Sequence, residues 1–199
     1  SKQDLGVFSL SPKIVEGLRG SKGDSRKGPL STVAQAHAIA QIISPSSARV
    51  RKMRPWALSG NWISNTLDTT YDPVFTSIRD FLTNEGSIRI VPVTEVHSPD
   101  PQNYPWIESN DLSEAKEGWN SLSFEEKEYF MDSLVLPGLN SKSPSTPRME
   151  ELLWHCVVGI DWKRDLYSQI TKASGLWVTN PPRVASSIVI DSLISGGSI

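Results

Sequence analysis

The sequence predicts a mainly α protein with a minor β hairpin or edge strand, organised as a single helical domain with an extended basic N-terminal arm. Apolar residues recur at helical spacing in several segments, whereas the best strand candidate is one short segment rich in Ile and Val. The length of 199 residues fits one domain plus an arm, and 38% hydrophobic residues suffice for one core. We predict a flexible basic Gly/Ser arm over 1–30, a mostly helical globular domain over 31–195 and a flexible tail over 196–199.

Two helices in the first half of the chain are predicted from their start signals. Thr32 and Gln35 have the spacing of a capping box, and Pro45 ends the apolar pattern that follows them. Asp72 is a residue type favoured at the N-cap, and Pro73 suits the first helical position. We therefore expect one helix to begin at each of these two points.

The middle of the chain contains the best strand candidate and a long proline-rich loop. Residues 87–96 are rich in Ile and Val, but Pro92 lacks the N–H that a central strand needs, so this strand is expected at an edge or in two pieces. Residues 98–110 include three prolines around Tyr104 and Trp106. Loops of this length are uncommon unless they bind a partner or wrap around a neighbour.

The second half is predicted to contain acidic helices over 111–119 and 123–135, and a further helix from about residue 146. Ser123 and Glu126 form a second capping-box pattern. The further helix follows from apolar residues at positions i, i+3, i+4, i+7 and i+8: Met149, Leu152, Leu153, Cys156 and Val157. Residues 184–195 are apolar and β-branched, and their pattern leaves helix and strand open.

The net charge of −2 conceals a separation of charge along the chain. Residues 1–54 contain ten Lys and Arg residues against three acidic residues, a net charge of +7. Residues 55–199 contain ten basic residues against nineteen acidic ones, a net charge of −9. Such asymmetry indicates a polyanionic partner or head-to-tail self-association. We therefore predict a homo-oligomer in which the basic arm of one copy reaches the acidic body of the next.

The densest group of cations lies beside a tryptophan and predicts a site for single-stranded RNA. Guanidinium groups bind phosphates, and an aromatic ring can stack on a base. Four such phosphate contacts would give a slope near −3 of log affinity against log salt, a loss of roughly fifty-fold between 50 and 200 mM. The predicted nucleic-acid-binding residues combine this cluster with cations of the arm: Arg49, Arg51, Lys52, Arg54, Trp56, Lys22, Arg26 and Lys27.

Other interpretations of the charged segments stay open. The same cations could bind an anionic membrane surface, at about 1 kcal/mol for each cation near the surface, or form a solvated arm without a function. Four acidic residues of 123–135 indicate either a solvated helix face or a docking surface for the basic arm of a neighbouring copy: Glu125, Glu126, Glu128 and Asp132.

No catalytic, metal or cofactor site is predicted. The histidines His37, His97 and His155 are far apart in sequence, and none has a second His or Cys at the spacing of a metal site. Cys156 lies on the apolar stripe of its predicted helix, which favours a structural role over a nucleophilic one. We therefore predict a protein that is not an enzyme and takes no small-molecule cofactor.

Three features of the sequence favour the cytoplasm or a virion as its location. No apolar stretch is long enough to cross a membrane, a single cysteine excludes an internal disulfide, and no secretory leader is recognised. No family is recognised over the whole chain. Two short fragments, the helix start Asp72-Pro73-Val74 and the segment Ala173-Ser174-Gly175-Leu176-Trp177-Val178, resemble stretches of viral coat and matrix proteins.

Together these observations predict a non-enzymatic, self-assembling structural protein of the viral matrix or nucleocapsid (capsid) kind, which binds RNA through its basic N-terminal region. Two alternatives predict different behaviour. One is a monomeric adaptor that presents residues 99–106 or the acidic helices to a protein partner. The other is a peripheral, matrix-like protein that binds an anionic membrane surface.

Overall fold

The computed structural model describes residues 9–19, 23–69, 71–139 and 144–199, and it confirms a mainly α fold. The strands are β1 (Lys13–Arg19), β2 (Ser25–Leu30), β3 (Ile88–Val91) and β4 (Cys156–Gly159). The helices are α1 (Thr32–Ile43), α2 (Ala48–Lys52), α3 (Ser59–Ile63), α4 (Thr66–Thr69), α5 (Pro73–Asn84), α6 (Ser109–Gly118), α7 (Phe124–Leu139), α8 (Thr146–Leu153), α9 (Leu166–Thr179) and α10 (Pro182–Gly196). Short 3-10 helices lie at Arg54–Leu58, Val93–Glu95, Pro101–Asn103 and Trp119–Ser121.

The region 1–30, for which we predict a flexible arm, contains a β hairpin in its described part. Strands β1 and β2 pair antiparallel, and their register shifts after Val15. Gly17 lies in this irregular part with a φ of +76°, a conformation that only glycine adopts at little cost. The hairpin packs closely on α5. There is little room for a larger residue at Gly28, where an added Cβ would lie 3.1 Å from Cγ2 of Val74. Part of the predicted arm therefore has a fixed place on the domain.

Helix α5 begins at the residues that the sequence predicts. Asp72 is buried, and its Oδ1 accepts hydrogen bonds from the backbone N–H groups of Val74 and Phe75, at 2.9 and 3.0 Å. Its Oδ2 accepts from Asn61 Nδ2 at 3.0 Å and from Thr66 Oγ1 at 3.1 Å. One buried carboxylate thus connects α3, α4 and α5.

The predicted strand at 87–96 is shorter than expected, and it pairs with a segment that we predict as helix. Strand β3 runs antiparallel to β4, with Val91 opposite Cys156. Helix α8 ends at Leu153, so the prediction that the helix continues through Cys156 and Val157 is wrong. All four residues of β4 are buried, so the sequence lacks the alternation of apolar and polar residues that would identify a strand.

The C-terminal residues are helical and then fold back onto the domain. Residues 184–195 belong to α10, and Gly197 caps its C-terminal end with a φ of +74°, the left-handed conformation common at this position. The carbonyl of Gly197 accepts a hydrogen bond from Trp56 Nε1 at 2.9 Å. The backbone N–H of Ile199 donates to Gln169 Oε1 at 2.6 Å. The tail that we predict as flexible is thus hydrogen-bonded to the domain.

The proline-rich loop is folded into the domain. Tyr104 is 1% exposed and belongs to the hydrophobic core. Asn103 Nδ2 donates to Ser168 Oγ of α9 at 2.9 Å, and Trp106 is half-buried against Gly138 of α7. The aromatic residues of this loop therefore contribute to packing and are not displayed for a partner.

One hydrophobic core connects the elements from α3 to α9. It contains β3, β4 and the buried sides of α5, α7 and α8, and its largest fully buried side chains are Tyr104, Phe75, Leu58, Leu67, Met131, Leu152, Leu153 and Leu166. Among the helices described, none has the length and apolar character needed to cross a membrane.

Candidate nucleic-acid and assembly surfaces

Helix α2 displays three of the cations that we predict to bind RNA. The helix is capped by Ser47, whose Oγ accepts a hydrogen bond from the N–H of Val50 at 3.4 Å. Arg49, Arg51 and Lys52 are exposed, and their side chains have no ion pair or hydrogen bond with any described residue. Three positive charges on one short helix are therefore available to a partner.

Arg54 differs from these three cations because its partners lie within the fold. Its guanidinium donates to Gln41 Oε1 at 3.1 and 3.3 Å and to Ser87 Oγ at 3.1 Å. It also forms an ion pair with Glu85 at 3.1 Å, and only 19% of its side chain is exposed. Arg54 thus connects α1 to the end of α5, with little donor capacity left for a phosphate.

Trp56 is also held by the fold. Its indole N–H donates to the carbonyl of Gly197, and its ring lies 5.7 Å from the ring of Trp162, measured between centroids. The side chain is half-buried. One polar contact and one ring contact of Trp56 are therefore already used, which weakens the prediction that this ring stacks on a base.

The cations of the N-terminal region lie on a different element from α2. Arg26 and Lys27 are exposed on β2, and Arg26 forms an ion pair with Asp24 at 2.7 Å. Lys22, the remaining residue of the predicted site, lies outside the described residues. The structure thus places the predicted RNA-binding residues on at least two separate elements.

Helix α2 lies against the end of α10, a contact that the sequence analysis does not predict. A Cβ added at Gly197 would lie 2.8 Å from the Cβ of Lys52 and 2.9 Å from its carbonyl oxygen. The C-terminal end of a helix carries a partial negative charge, so cations are favourable there. The position of α2 on the domain is therefore fixed by residues more than a hundred positions away in sequence.

A groove with an apolar floor and an acidic rim lies between α7 and α8. Its volume is about 520 Å³, and its lining includes Phe124, Val135, Leu139, Met149, Trp154, Glu128, Asp132 and Glu150. Glu128 and Asp132 are exposed and have no ion pair with any described residue. Phe124 is 73% exposed at one end. The groove thus offers apolar contact together with uncompensated negative charge.

One cluster of ionisable groups lies where the groove meets α5. His155 Nδ1 is 3.4 Å from Glu151 Oε1 and 3.8 Å from Glu150 Oε1. Glu151 is buried and forms an ion pair with Arg79. Tyr71 donates to Glu150 Oε2 at 2.6 Å, and this hydrogen bond raises the pKa of the tyrosine hydroxyl. These contacts fasten α5 to α8, and no cluster of the described residues has the composition of a metal site.

Cys156 is enclosed by the core. Its thiol lies 3.0 Å from the carbonyl oxygen of Leu152, to which it donates. Burial raises the pKa of this thiol well above its ordinary value, and the nearby carboxylate of Asp165 raises it further. A buried neutral thiol is a poor nucleophile, so Cys156 acts here as a small core residue.

Comparison with protein-family models, with curated proteins and with solved structures finds no match for this chain. The function of the two surfaces is therefore inferred from their own chemistry.

Proposed function

We propose that this chain is a non-enzymatic, self-assembling structural protein of the viral matrix or nucleocapsid kind, which binds single-stranded RNA. The observation that carries the proposal is the presence of unpaired opposite charges on different helices: Arg49, Arg51 and Lys52 on α2, and Glu128 and Asp132 on α7. Opposite charges that do not pair within one copy can pair between copies, or with a separate polyanion.

The cations of α2 favour RNA as the polyanion. A guanidinium binds phosphate through two parallel hydrogen bonds, and α2 offers Arg49 and Arg51 together with the point charge of Lys52. Because the ring of Trp56 is engaged with Trp162, the interaction is expected to be mainly electrostatic and independent of base sequence. Three contacts from α2, in place of the four suggested by the sequence, give a slope of about −2.

The first prediction is that glutamine at all three positions (Arg49→Gln, Arg51→Gln and Lys52→Gln) removes the contribution of α2. In the unchanged chain, the contribution of α2 to RNA affinity should fall roughly twenty-fold between 50 and 200 mM salt. The reason is that three cations bound to phosphates release three counterion positions of the RNA. The triple variant should bind at least about twenty-fold more weakly at 50 mM salt. Fluorescence anisotropy with a short labelled single-stranded RNA measures both values.

The matched control removes three exposed cations elsewhere, with the substitutions Arg89→Gln, Lys163→Gln and Lys172→Gln. This control should bind RNA almost as the unchanged chain does. A triple variant that binds like the control would show that α2 is not the RNA site. Binding of the unchanged chain to phosphatidylserine vesicles but not to RNA would favour the membrane alternative.

The acidic groove is complementary to the β hairpin of a neighbouring copy. On β1, Ile14 is 62% exposed next to the exposed cation Lys13, and Arg19 is exposed at the other end of the strand. The described part of the hairpin has four exposed cations, Lys13, Arg19, Arg26 and Lys27, against two exposed carboxylates, Glu16 and Asp24. This positive charge and the apolar side chain of Ile14 suit an apolar floor with a carboxylate rim. This contact joins two different surfaces, so it links copies head to tail into rings or filaments.

The second prediction is that Glu128→Gln combined with Asp132→Asn abolishes the salt-dependent, head-to-tail part of the association. Light scattering should give the unchanged chain a larger mass at 50 mM than at 500 mM salt, because exposed charges are screened at the higher concentration. The double variant should have the same mass at both salt concentrations and should still bind RNA.

A control of equal charge, Glu114→Gln with Glu117→Gln on α6, should keep the salt-dependent mass. An unchanged chain that is a monomer at both salt concentrations, with and without RNA, would overturn the proposal. The groove would then support the adaptor alternative, in which it binds a basic segment of another protein.

A further inference from the structure

Helix α10 leaves one long face uncovered. Ala185 is buried, and the helix packs against α9 and the end of α2 on that side. Four large apolar residues on the other side are 39–53% exposed: Val184, Ile188, Ile190 and Ile194. Large apolar side chains that stay exposed on one helix face, among polar residues, are typical of an interaction site.

The exposed residues of α10 form a continuous stripe. At 100° per residue, positions 183, 184, 187, 188, 190, 191, 194 and 195 fall within about 160° of the helix circumference. All eight positions are exposed, and they extend over most of the helix. The stripe is therefore shaped like the contact face of a helix in a pair.

The charged residues of α10 are arranged symmetrically within the stripe. Arg183 and Asp191 are the charged residues of this helix, and both lie on the exposed face. Neither has an ion pair with a described residue. They are eight positions apart, and Ser187 lies midway between them. A positive charge and a negative charge thus lie at equal distances before and after Ser187.

We propose that α10 pairs antiparallel with α10 of a second copy, about a twofold axis that passes beside Ser187. This inference rests on the proposed self-assembly and names one of its interfaces. Arg183 of each copy then lies at the level of Asp191 of the other, so the same ion pair forms twice. The small side chain of Ser187 allows close approach at the crossing point, and Val184 and Ile190 become covered on either side.

A second copy fits this face better than a lipid or an RNA does. Helices that bind membrane surfaces combine their apolar side with several Lys or Arg residues, whereas α10 has one cation and one anion. RNA would be repelled by Asp191 and would gain nothing from the isoleucines. Self-pairing is the arrangement that neutralises both charges and covers the apolar residues at once.

The test uses a charge exchange in a background that lacks the head-to-tail contact, Glu128→Gln with Asp132→Asn, at 150 mM salt. Sedimentation equilibrium should show a dimer. Arg183→Asp alone and Asp191→Arg alone should each raise the dimer dissociation constant at least tenfold, because each places like charges together twice. The combined exchange, Arg183→Asp with Asp191→Arg, should restore the constant to within about threefold. In this background, failure of the proposed head-to-tail contact leaves the dimer result unaffected.

A second pair of variants tests the apolar part of the interface. Ile190→Ser with Ile194→Ser should give a monomer with an unchanged circular dichroism spectrum. The control Ile42→Ser with Ile43→Ser replaces two isoleucines of α1 that are more exposed, at 80% and 74%, and should stay dimeric. A monomeric background protein, a combined charge exchange that does not restore the dimer, or an Ile190→Ser, Ile194→Ser variant that stays dimeric would each overturn the proposal.

Discussion

Replacement of Asp72 by alanine is expected to lower the free energy of unfolding by roughly 3 to 4 kcal/mol. The side chain caps α5 through the N–H groups of Val74 and Phe75, a contribution of about 1 kcal/mol. It also accepts hydrogen bonds from Asn61 and Thr66, and each such bond to a charged group contributes about 1.5 kcal/mol. Urea denaturation measures the loss, and the slope of the free energy of unfolding against urea concentration should stay unchanged.

The matched control for this prediction is Asp100→Ala. Asp100 also caps a helix, accepting from the N–H of Gln102 at 3.1 Å, but it is half-exposed and the 3-10 helix is short. The expected loss there is about 1 kcal/mol. Equal losses for Asp72→Ala and Asp100→Ala would show that the buried carboxylate does not connect α3, α4 and α5 as described.

Replacement of Glu151 by alanine is expected to lower the free energy of unfolding by about 3 kcal/mol. Glu151 is 4% exposed and pairs with Arg79, whose side chain is 14% exposed. The variant leaves this arginine largely buried, with Asp80 at 3.6 Å as its remaining anionic partner. The cost is therefore mainly that of a buried cation without its partner, and chemical denaturation measures it.

Two further variants separate this cost from simple loss of packing. Asp80→Asn removes the exposed partner of Arg79 and should change stability by less than about 0.5 kcal/mol. Arg79→Met combined with Glu151→Met removes both charges and should be more stable than Glu151→Ala, because no unpaired charge stays buried. A double variant less stable than the single one would contradict the explanation.

The sequence predicts those elements whose signals are local. Asp72 caps α5 as expected, and the capping box of Ser123 and Glu126 forms with both of its hydrogen bonds, at 2.7 and 3.3 Å. These signals depend on residues within one helical turn. The predicted capping box of Thr32 and Gln35 does not form, because Ser31 caps α1 and Gln35 Nε2 donates to the carbonyl of Ser11 at 2.7 Å. The sequence leaves the helical nature of α10 open because its apolar, β-branched residues fit a helix or a strand, although Pro182 begins the helix and Gly197 follows its end.

Strand β4 and the N-terminal hairpin could not be predicted because distant partners determine them. Cys156 and Val157 are strand residues since β3 supplies their hydrogen bonds, more than sixty positions earlier in the chain. The hairpin has a Gly/Ser-rich composition typical of loops, and its packing on α5 at Gly28 stabilises it. Local composition contains no information on either contact.

The candidate site follows the same division. Sequence spacing places Arg49, Arg51 and Lys52 together because they share one short helix. It does not separate Arg54 from them, because the partners of Arg54 come from α1 and from the end of α5. The cluster of cations could thus be found from the sequence, whereas the fold was needed to show that Arg54 is paired internally and that the other three are exposed.

The scarcity of charge in the last two helices has a consequence for the order of assembly. Between residues 166 and 199 the charged side chains are Lys172, Arg183 and Asp191. The proposed contact of α10 would therefore depend chiefly on protein concentration, whereas the proposed contact between hairpin and groove would respond to ionic strength. Pairs of copies would form first and persist in concentrated salt. Longer filaments would grow from these pairs when the salt is diluted. Each end of such a filament would then gain or lose two copies of the protein at a time.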